Sequence, residues 1–525
     1  MKQWGSVLCC LLLAACGGRA PSSLSSAAID ARVAQGHLHR HLSQSPRTLD
    51  PSLNEDVAAY SVADDLFEGL LRLDASGAVV PGVASHWEQS ADGLTWLFHL
   101  RPEARWSNGD PVRAPDFVYA WRRVLDPATG STNRAQLEVI ADVRALDGLT
   151  LEVRLATPTP YFTYLLTMCW MMPLHEPTIR QHGAAWTDPA HIVGNGAFVL
   201  QSRTASGPIT LVRNPRYWDA AAVKLTAVTY HPITDTAAVT ARFLAGDVDI
   251  TDRFQIEDLD WLQRDLGNQL RLEPYFATFM MGFNVTLPPY DDVRVRQALV
   301  MALDRDVLTG KLLKGKYSPA HGIVPPLPGY GVVLPEWAGM TTGARHARAR
   351  ELYAAAGYSP QKPLEVQIWY PMSDTDTRRL MEGMAAMWRT ALGARVRIES
   401  EEWRAFQQNR KLHRHGLFYF ARTGDFPDPL TFLALPNPGG DQSETQYRRA
   451  EYDAAVEAGK RAVDSASRQS AYHRAEQVLN DDAVVIPLYY YRSKHLVRSY
   501  VQGWQPNPMD RHASRDLSLG REAVH

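Results

Sequence analysis

The sequence predicts an α/β protein with large hydrophobic cores. In the first half of the chain, short segments with the apolar patterns of β-strands are separated by turns rich in Pro and Gly. From residue 292 onward, segments with the period of amphipathic helices precede apolar strands. Alternating helices and strands are typical of α/β architecture, and 525 residues suffice for about three or four domain-sized units.

Side-chain periodicity predicts the elements of the first half. Residues 36–42 alternate and predict a strand, which Asp50-Pro51 then separates from the next element. Residues 62–73 have a helical period. Further strands are predicted at residues 95–100, 149–155 and 198–211.

Helix start and stop signals predict the elements of the second half. Asp291 and Asp292 suit the start of an amphipathic helix whose apolar residues continue to Leu308. Residues 345–356 and 374–392 predict helices, each followed by a glycine suited to the C′ position. The last predicted pair is a helix at residues 465–480 and an apolar strand at residues 483–491.

The first residues have the pattern of a lipoprotein export signal. An apolar run leads into Leu13-Ala14-Ala15-Cys16, the pattern of a lipobox, and it is shorter than the about 20 apolar residues that span a bilayer. We therefore expect a signal peptide at residues 1–15, lipidation of Cys16 and a flexible lipidated linker at residues 16–35, with folded structure from near Gly36. An ordinary secretory signal with an incidental cysteine is the alternative interpretation.

The net charge and the cysteine content disfavour two classes of protein: nucleic-acid-binding proteins and disulfide-bonded proteins. The formal net charge is −2 and the chain has no long basic run, so nucleic-acid binding is disfavoured. Cys9 and Cys10 lie in the predicted signal and Cys16 is the predicted lipid site, which leaves Cys169 in the folded body. No intrachain disulfide is expected, and we interpret Cys169 as a small buried apolar residue.

The chain lacks the short motifs that mark common enzymes. It has no Gly-x-Ser-x-Gly, no His-Glu-x-x-His and no phosphate loop that ends in Gly-Lys-Ser/Thr. His37, His39 and His41 alternate on the first predicted strand and could ligate a metal, but side chains on one face of one strand converge poorly on an ion. We therefore expect neither a catalytic residue nor a bound metal. These observations predict a protein that captures its ligand and does not convert it.

Short sequence blocks stand in a recognisable order along the chain. They are Leu66-Phe67-Glu68-Gly69-Leu70, Pro81-Gly82-Val83-Ala84-x-x-Trp87-Glu88, Phe98-His99-Leu100-Arg101, Trp106-Ser107-Asn108-Gly109-x-Pro111-Val112, Asp116-Phe117-Val118-Tyr119, Arg213-Asn214-Pro215-x-Tyr217-Trp218, Asp292-Val293-Arg294-Val295-Arg296 and Val485-Ile486-Pro487-Leu488-Tyr489-Tyr490-Tyr491. In this order the blocks resemble the oligopeptide-binding proteins of ABC importers, which belong to the peptide- and nickel-binding solute-binding proteins of family 5. The resemblance covers nearly the whole mature chain, and similar proteins bind dipeptides, nickel, haem or sugars.

The resemblance implies a two-lobed periplasmic-binding-protein type II fold, with an extra subdomain inserted in lobe I. The lobes of such proteins close on a ligand like a hinge. Lobe I is expected from residues 36–67, 195–276 and 492–525. The extra subdomain is expected at residues 68–194, and the second ligand-gripping lobe at residues 277–491.

The resemblance also implies which residues contact a bound peptide. Asp425, in Gly424-Asp425-Phe426-Pro427-Asp428-Pro429, is similar to the family's aspartate that pairs with the peptide amino terminus. A turn or capping aspartate before two prolines is the alternative. The other implied contacts are Arg422 and Arg410 at the carboxyl end, Trp403 and Tyr491 as aromatic walls, and Glu55 near the ligand backbone.

The sequence departs from the family pattern at several positions where the family has residues in the ligand pocket. Before Asp425 the chain lacks a short stretch that well-known oligopeptide binders carry, including a Trp and a Cys, and Ala277 stands at the partner position of that Cys. A ligand-facing tyrosine is missing where Ser131-Thr132-Asn133-Arg134 stands, and the histidine expected near residues 374–377 is also missing. We therefore expect a ligand length or composition different from that of the oligopeptide binders.

Together these observations predict a lipid-anchored extracytoplasmic substrate-binding protein without a cofactor. The resemblance implies that it captures short peptides as a monomer and delivers them to an inner-membrane ABC permease and its ATPase subunits. Alternatives are a binder of a nickel chelate, haem or sugar, for which His37, His39 and His41 are the only feature that favours metal, and a peptide-sensing receptor. A hydrolase on a borrowed fold is disfavoured, because no nucleophile and base stand at a known spacing.

Overall fold

The computed structural model describes residues 24–254, 259–327, 329–372, 375–424, 426–434 and 444–521. Its strands are β1 (His37–Leu42), β2 (Leu71–Leu73), β3 (Val79–Pro81), β4 (Ala84–Gln89), β5 (Thr95–Leu100), β6 (Ile140–Ala145), β7 (Thr150–Leu155), β8 (Phe198–Arg203), β9 (Ile209–Arg213), β10 (Ala227–Pro232), β11 (Leu270–Phe283), β12 (Ser318–Pro319), β13 (Glu365–Pro371), β14 (Arg395–Glu401), β15 (Leu417–Thr423), β16 (Val485–Leu496), β17 (Val501–Gln502) and β18 (Ser518–Leu519). Its α-helices are α1 (Ser26–Gln35), α2 (Val57–Leu66), α3 (Ala114–Leu125), α4 (Arg134–Leu137), α5 (Phe162–Leu165), α6 (Glu176–His182), α7 (Thr236–Ala245), α8 (Leu259–Leu266), α9 (Val293–Met301), α10 (Thr342–Ala355), α11 (Thr375–Leu392), α12 (Trp403–Lys411), α13 (Leu430–Leu433), α14 (Ala450–Arg461) and α15 (Ser465–Asp481).

Three larger sheets organise these elements. The first has the order β1-β10-β9-β8, with β1 parallel to β10, and the second is the antiparallel sheet β4-β5-β7-β6. The third has the order β12-β16-β11-β15-β13-β14. Helices α9, α10 and α11 pack on one face of this third sheet and α13, α14 and α15 on the other, so it is covered on both sides.

Two long strands, β11 and β16, connect the two halves of the molecule. They pair antiparallel from Leu270 and Leu496 at one end to Gly282 and Val485 at the other, with a register shift between Pro274 and Thr278. At the Leu496 end, a β-bridge from Ile250 joins Val497, and a second bridge joins Ile250 to β1. The paired strands therefore run continuously from the first sheet into the third.

The fold is α/β and two-lobed, as the resemblance implies. The first two sheets share one large hydrophobic core, and the third sheet has a core on each face. Cys169 is fully buried in the first core. The proposed boundaries of the extra subdomain and lobes stay a prediction, supported by the second sheet lying within residues 68–194. No helix of the described residues has both the length and the apolar character that crossing a membrane requires.

The segment predicted as a flexible linker at residues 16–35 is partly helical, so that prediction is wrong for its second half. Ser25 Oγ accepts a hydrogen bond from Ala28 N–H at the start of α1, and Gly36, with φ of 62°, ends it. Arg32 donates to the carbonyl oxygen of Gly246 at 2.7 Å, and Arg521 pairs with Asp30. These tertiary contacts hold α1 on the body. Residues 16–23, with Cys16, lie outside the described residues.

The predicted helix at residues 62–73 is also wrong at its C-terminal end, because α2 ends at Leu66. The backbone N–H of Glu68 donates to Asn195 Oδ1 at 3.0 Å, and Asn195 Nδ2 donates to the carbonyl oxygen of Glu68 at 2.8 Å. Backbone groups that would continue the helix are thus bound to a distant residue. The chain turns away and forms β2 at residues 71–73 instead.

The carboxylate of Glu68 lies at the centre of a buried polar cluster. Its side chain is 0% exposed, accepts a hydrogen bond from Tyr217 O–H, and accepts another from Trp218 Nε1 at 2.6 Å. Arg515, whose side chain is 6% exposed, approaches the same carboxylate at 3.4 Å. Glu68 and Tyr217-Trp218 belong to two of the blocks that carry the family resemblance, and they meet here.

We expect Glu68→Ala to lower the free energy of unfolding by about 3–5 kcal/mol, because it leaves a buried arginine without its carboxylate and two buried donors without an acceptor. Urea unfolding followed by circular dichroism measures this change. Glu88→Ala is the control, since the side chain of Glu88 is 68% exposed. A loss below about 1 kcal/mol for Glu68→Ala would contradict the expected role.

Candidate functional site

Two cavities lie beside the strands that connect the lobes. The first cavity has a volume of about 360 Å³, and its lining includes Tyr60, Asp64, Tyr275 and residues 509–513. The second cavity has a volume of about 330 Å³, and its lining includes Phe279, Tyr317, Trp403, Tyr419, Tyr489, Tyr491 and Lys494. The rings of Tyr275 and Tyr491 meet edge to face with centroids 5.6 Å apart, so the two cavities adjoin at β11 and β16.

Arg511 is fixed at the floor of the first cavity. Its guanidinium donates to Asp64 Oδ1 at 3.0 Å and to Thr167 Oγ1 at 3.0 Å, and it lies 4.4 Å from the ring centroid of Tyr60. Glu55 is at the rim of this cavity, where Arg47 lies 3.3 Å from its carboxylate. The arginine is therefore neutralised within the protein, whereas Glu55 is 41% exposed at its side chain.

His495, Asp510 and His512 form a buried group beside the first cavity. Nδ1 of His495 donates to the carbonyl oxygen of Thr251 at 2.7 Å, and Nε2 donates to Asp510 Oδ1 at 2.7 Å. Burial alone lowers the pKa of His495, but the carboxylate of Asp510 outweighs it and raises the pKa above its ordinary value. Burial lowers the pKa of His512 to about 4. We therefore interpret the group as an ion pair of His495 and Asp510 beside a neutral His512.

The second cavity has aromatic walls. Tyr489 stacks on Phe279 with ring centroids 4.8 Å apart and on Tyr317 with centroids 4.5 Å apart. Its hydroxyl group shares a hydrogen bond of 2.7 Å with that of Tyr419. Trp403, the first residue of α12, is 57% exposed. Such walls offer large apolar contact areas together with hydroxyl groups that bind polar atoms.

The structure divides the predicted contact residues among separate places. Trp403 and Tyr491 line the second cavity, and Glu55 lines the first. Arg410 and Arg422 belong to the lining of neither, as far as the described residues go. Asp425 lies outside the described residues, so its predicted role stays a prediction.

Arg410 and Arg422 are near each other but not at the cavities. Arg410 pairs with Glu444 at 3.1 Å, and Arg422, on β15, lies opposite Thr278 of β11. Burial lowers the pKa of Arg410, and the charge of Arg422 lowers it further against the opposing effect of Glu444. Nε of Arg422 is buried without a hydrogen-bond partner among the described residues. In this arrangement of the lobes, Arg410 already has a carboxylate partner from the protein.

The segment that follows Asp425 packs against residues that are distant in the sequence. Phe426 stacks on Tyr161 with ring centroids 4.2 Å apart and an angle of 7° between the rings. Asp428 is bound to Arg468 at 2.5 Å, which fixes the loop on α15. Tyr161 and Phe426 are 265 residues apart along the chain, so this stacking joins two distant segments.

The three histidines of β1 do not converge on a common point. His37 Nε2 contacts Thr229 Oγ1 at 2.8 Å, His39 Nδ1 contacts His231 Nε2 at 3.0 Å, and His41 Nε2 donates to the carbonyl oxygen of Ile233 at 2.7 Å. Among the described residues, the groups with ligand atoms close enough for a metal are His86 with Glu88 and His99, and His495 with Asp510 and His512.

Comparison with known proteins identifies the family. The family described as "Bacterial extracellular solute-binding proteins, family 5 Middle" matches residues 78–444, and the chain belongs to this family. Its members are binding components and not enzymes. The periplasmic oligopeptide-binding protein OppA of Salmonella typhimurium is 36% identical over 487 residues, which cover 88% of this chain and 89% of that protein.

Two solved structures bear on the arrangement of the lobes. The unliganded open form of the periplasmic murein tripeptide binding protein MppA has a TM-score of 0.86 at 32% identity, covering 92% of this chain and 97% of that chain. Haemophilus influenzae OppA in complex with RPPGFSPFR has a TM-score of 0.72 at 30% identity, covering 92% and 99%. The TM-score to the unliganded open form is thus higher than the TM-score to the peptide complex.

Sequence reasoning missed several residues of the two cavities. Lys494 and Tyr317 line the second cavity and Arg511 the first, but none belongs to the blocks that carry the resemblance. The last predicted strand ends at residue 491, whereas β16 continues to Leu496 and so includes Lys494 and His495. The charged residues after Tyr491 break the apolar pattern, and that pattern was the only signal for the strand.

We expect His495→Gln to destabilise the protein by a margin that depends on pH. Because the folded pKa is raised, the stability from its ion pair is fully present below the unfolded pKa of about 6.5 and is lost as the pH rises through the folded pKa. Urea unfolding should therefore show a larger loss at about pH 6 than at about pH 9. His86→Gln, at an exposed histidine, is the control. An equal loss for His495→Gln at both pH values would contradict the ion pair.

Proposed function

We propose that this protein is a lipid-anchored extracytoplasmic substrate-binding protein that captures short peptides between its lobes and delivers them to an ABC permease for import. The observation that carries the proposal is the pair of adjoining cavities at the connecting strands, in a chain of family 5. The relatives OppA, an oligopeptide-binding protein, and MppA, a murein tripeptide binding protein, suggest the ligand class.

Binding is proposed to proceed by closure of the two lobes. A short peptide in the open cleft contacts the second cavity through its side chains, and closure then excludes water from its backbone. Backbone N–H and C=O groups give affinity without regard to side-chain identity, and charged end groups add ion pairs. Asp425 is the proposed partner of the peptide amino group. Glu55, with its exposed carboxylate at the rim of the first cavity, is proposed to approach the ligand backbone.

The proposed placement outside the cytoplasm rests on the N-terminal sequence and on relatives with periplasmic names. Cleavage before Cys16 and lipidation of its sulfur would tether the mature chain to a membrane. The proposed partners are the permease and its ATPase subunits, and the protein is proposed to act as a monomer.

We expect Asp425→Ala to weaken the binding of a tripeptide with a free amino group by about 2–5 kcal/mol, because it removes the charged partner of that group. Isothermal titration calorimetry on parent and variant measures the loss. The matched control is the same tripeptide with an acetylated amino group, for which parent and variant should bind equally. Equal binding of the free peptide by both proteins would remove Asp425 from the site. A parent that binds no peptide, but binds haem or a nickel chelate, would overturn the proposed function.

We expect Cys16→Ser to abolish lipid attachment and to move the protein from the membrane fraction to the soluble fraction of the envelope. Mass spectrometry of the intact protein should show the loss of the lipid mass, since serine offers no thiol for it. Cys169→Ser is the control, because Cys169 is buried in the body and is not at the lipobox. A lipid mass retained in the Cys16→Ser variant would contradict the anchor.

A further inference from the structure

Lys494 occupies an unusual position at one end of the second cavity. It lies on β16, opposite Leu272 of β11, where the two strands connect the lobes. Its Nζ donates to the hydroxyl oxygens of Tyr317 and Tyr491, each at 3.1 Å. It also lies 4.8 Å and 4.6 Å from the ring centroids of these two tyrosines. The ammonium is thus held between two aromatic rings at the wall of the cavity.

This ammonium has no carboxylate partner among the described residues. Asp376 lines the same cavity, but its carboxylate is bound to Lys316 at 2.6 Å and approaches Arg379 at 3.9 Å. A lysine ammonium has three N–H donors, and the two tyrosine oxygens accept two of them. The remaining donor therefore has no acceptor among the described residues and is available to the cavity.

The charge of Lys494 is maintained in this setting. Burial lowers its pKa, but the oxygens of Tyr491 and Tyr317 outweigh this effect and raise the pKa above its ordinary value. The group is therefore a cation at neutral pH. A partly buried cation whose hydrogen-bond partners are neutral hydroxyl groups gains free energy when an anion replaces the water beside it.

We propose that Lys494 binds a carboxylate of the captured peptide, so that the second cavity selects ligands that present a negative charge beside its aromatic walls. This inference rests on the proposed function, since it assumes a peptide between the lobes. The carboxylate is supplied either by an acidic side chain or by the C-terminus of the peptide, and both sources have the same chemistry at the ammonium. Phe279 and Tyr489 pack against the apolar atoms next to that carboxylate.

The test compares the parent with Lys494→Met, which keeps a long apolar side chain and removes the charge. Calorimetry is carried out with alanine tripeptides that carry Glu or Gln at each position in turn, each with a free or an amidated C-terminus. If an acidic side chain is the ligand, the parent prefers one Glu peptide over its Gln partner by about 10- to 100-fold, and the variant loses this preference. If the C-terminus is the ligand, amidation weakens binding to the parent by a similar factor and leaves binding to the variant unchanged.

Two further variants separate charge from folding. Lys494→Arg keeps a cation at the site and should retain the preference, whereas Lys362→Met removes an exposed lysine that lies 5.9 Å from the ring of Tyr358, outside both cavities, and should change nothing. Thermal unfolding of every variant establishes that it is folded. Two results with folded Lys494→Met would overturn this inference and leave the proposed function standing. One is an unchanged preference for the charged peptides, and the other is an equal loss of affinity for charged and uncharged peptides. A parent that binds none of the peptides would overturn it together with the proposed function.

Discussion

The buried carboxylate of Glu68 is the contact on which the packing around the first hydrophobic core depends. It joins the segment after α2, the Tyr217-Trp218 segment and Arg515 near the C-terminus, which are far apart along the chain. Taking this carboxylate out of water costs several kcal/mol. The tyrosine and indole donors and the guanidinium offset that cost only when all three segments are in place. The cluster is therefore formed by the fully folded lobe and not by any one segment.

The same cluster lies next to the point where the chain leaves for the proposed extra subdomain and returns from it. The chain leaves at Glu68 and returns at Asn195, whose side-chain amide pairs with the backbone of Glu68 in both directions. A Cβ atom at Gly82 would lie 2.7 Å from the carbonyl oxygen of Gly69, so the backbone next to this junction is closely packed. The exit and return of the chain are thereby fixed side by side, and the proposed extra subdomain extends from this rigid base.

The sequence predicted local structure well where the pattern of apolar residues decides it. The strand at β1 and the helices α10, α11 and α15 follow from periodicity and from glycine at helix ends, which are local signals. It failed where distant residues decide the backbone: α1 is held by Gly246 and Arg521, and the end of α2 is set by Asn195. These partners are separated by more than a hundred residues, and no single-sequence pattern reports them.

The prediction of the candidate site from the sequence has the same limit. Trp403, Tyr491 and Glu55 were implied by the family resemblance, and the structure places them at the cavities. Arg410 carries the same motif signal, yet Glu444 already pairs with it. A motif gives the type of a residue and not the partner that neutralises it. For Lys494 the opposite holds. No motif marks this lysine, and it becomes a candidate binding residue only because the fold places Tyr317 and Tyr491 around it.

The two cavities differ in the partners of their cations. At the first, Arg511 is paired with Asp64 and His495 with Asp510, whereas Arg40 donates to the carbonyl oxygen of His512 and to Ser514 Oγ. In the second, Lys494 is bound by neutral hydroxyl groups. Two cations at the first cavity therefore already have carboxylate partners, whereas Lys494 at the second has none among the described residues. Lys494 lies on a strand that joins the lobes, so a carboxylate bound there would stay beside the connecting strands during the proposed closure.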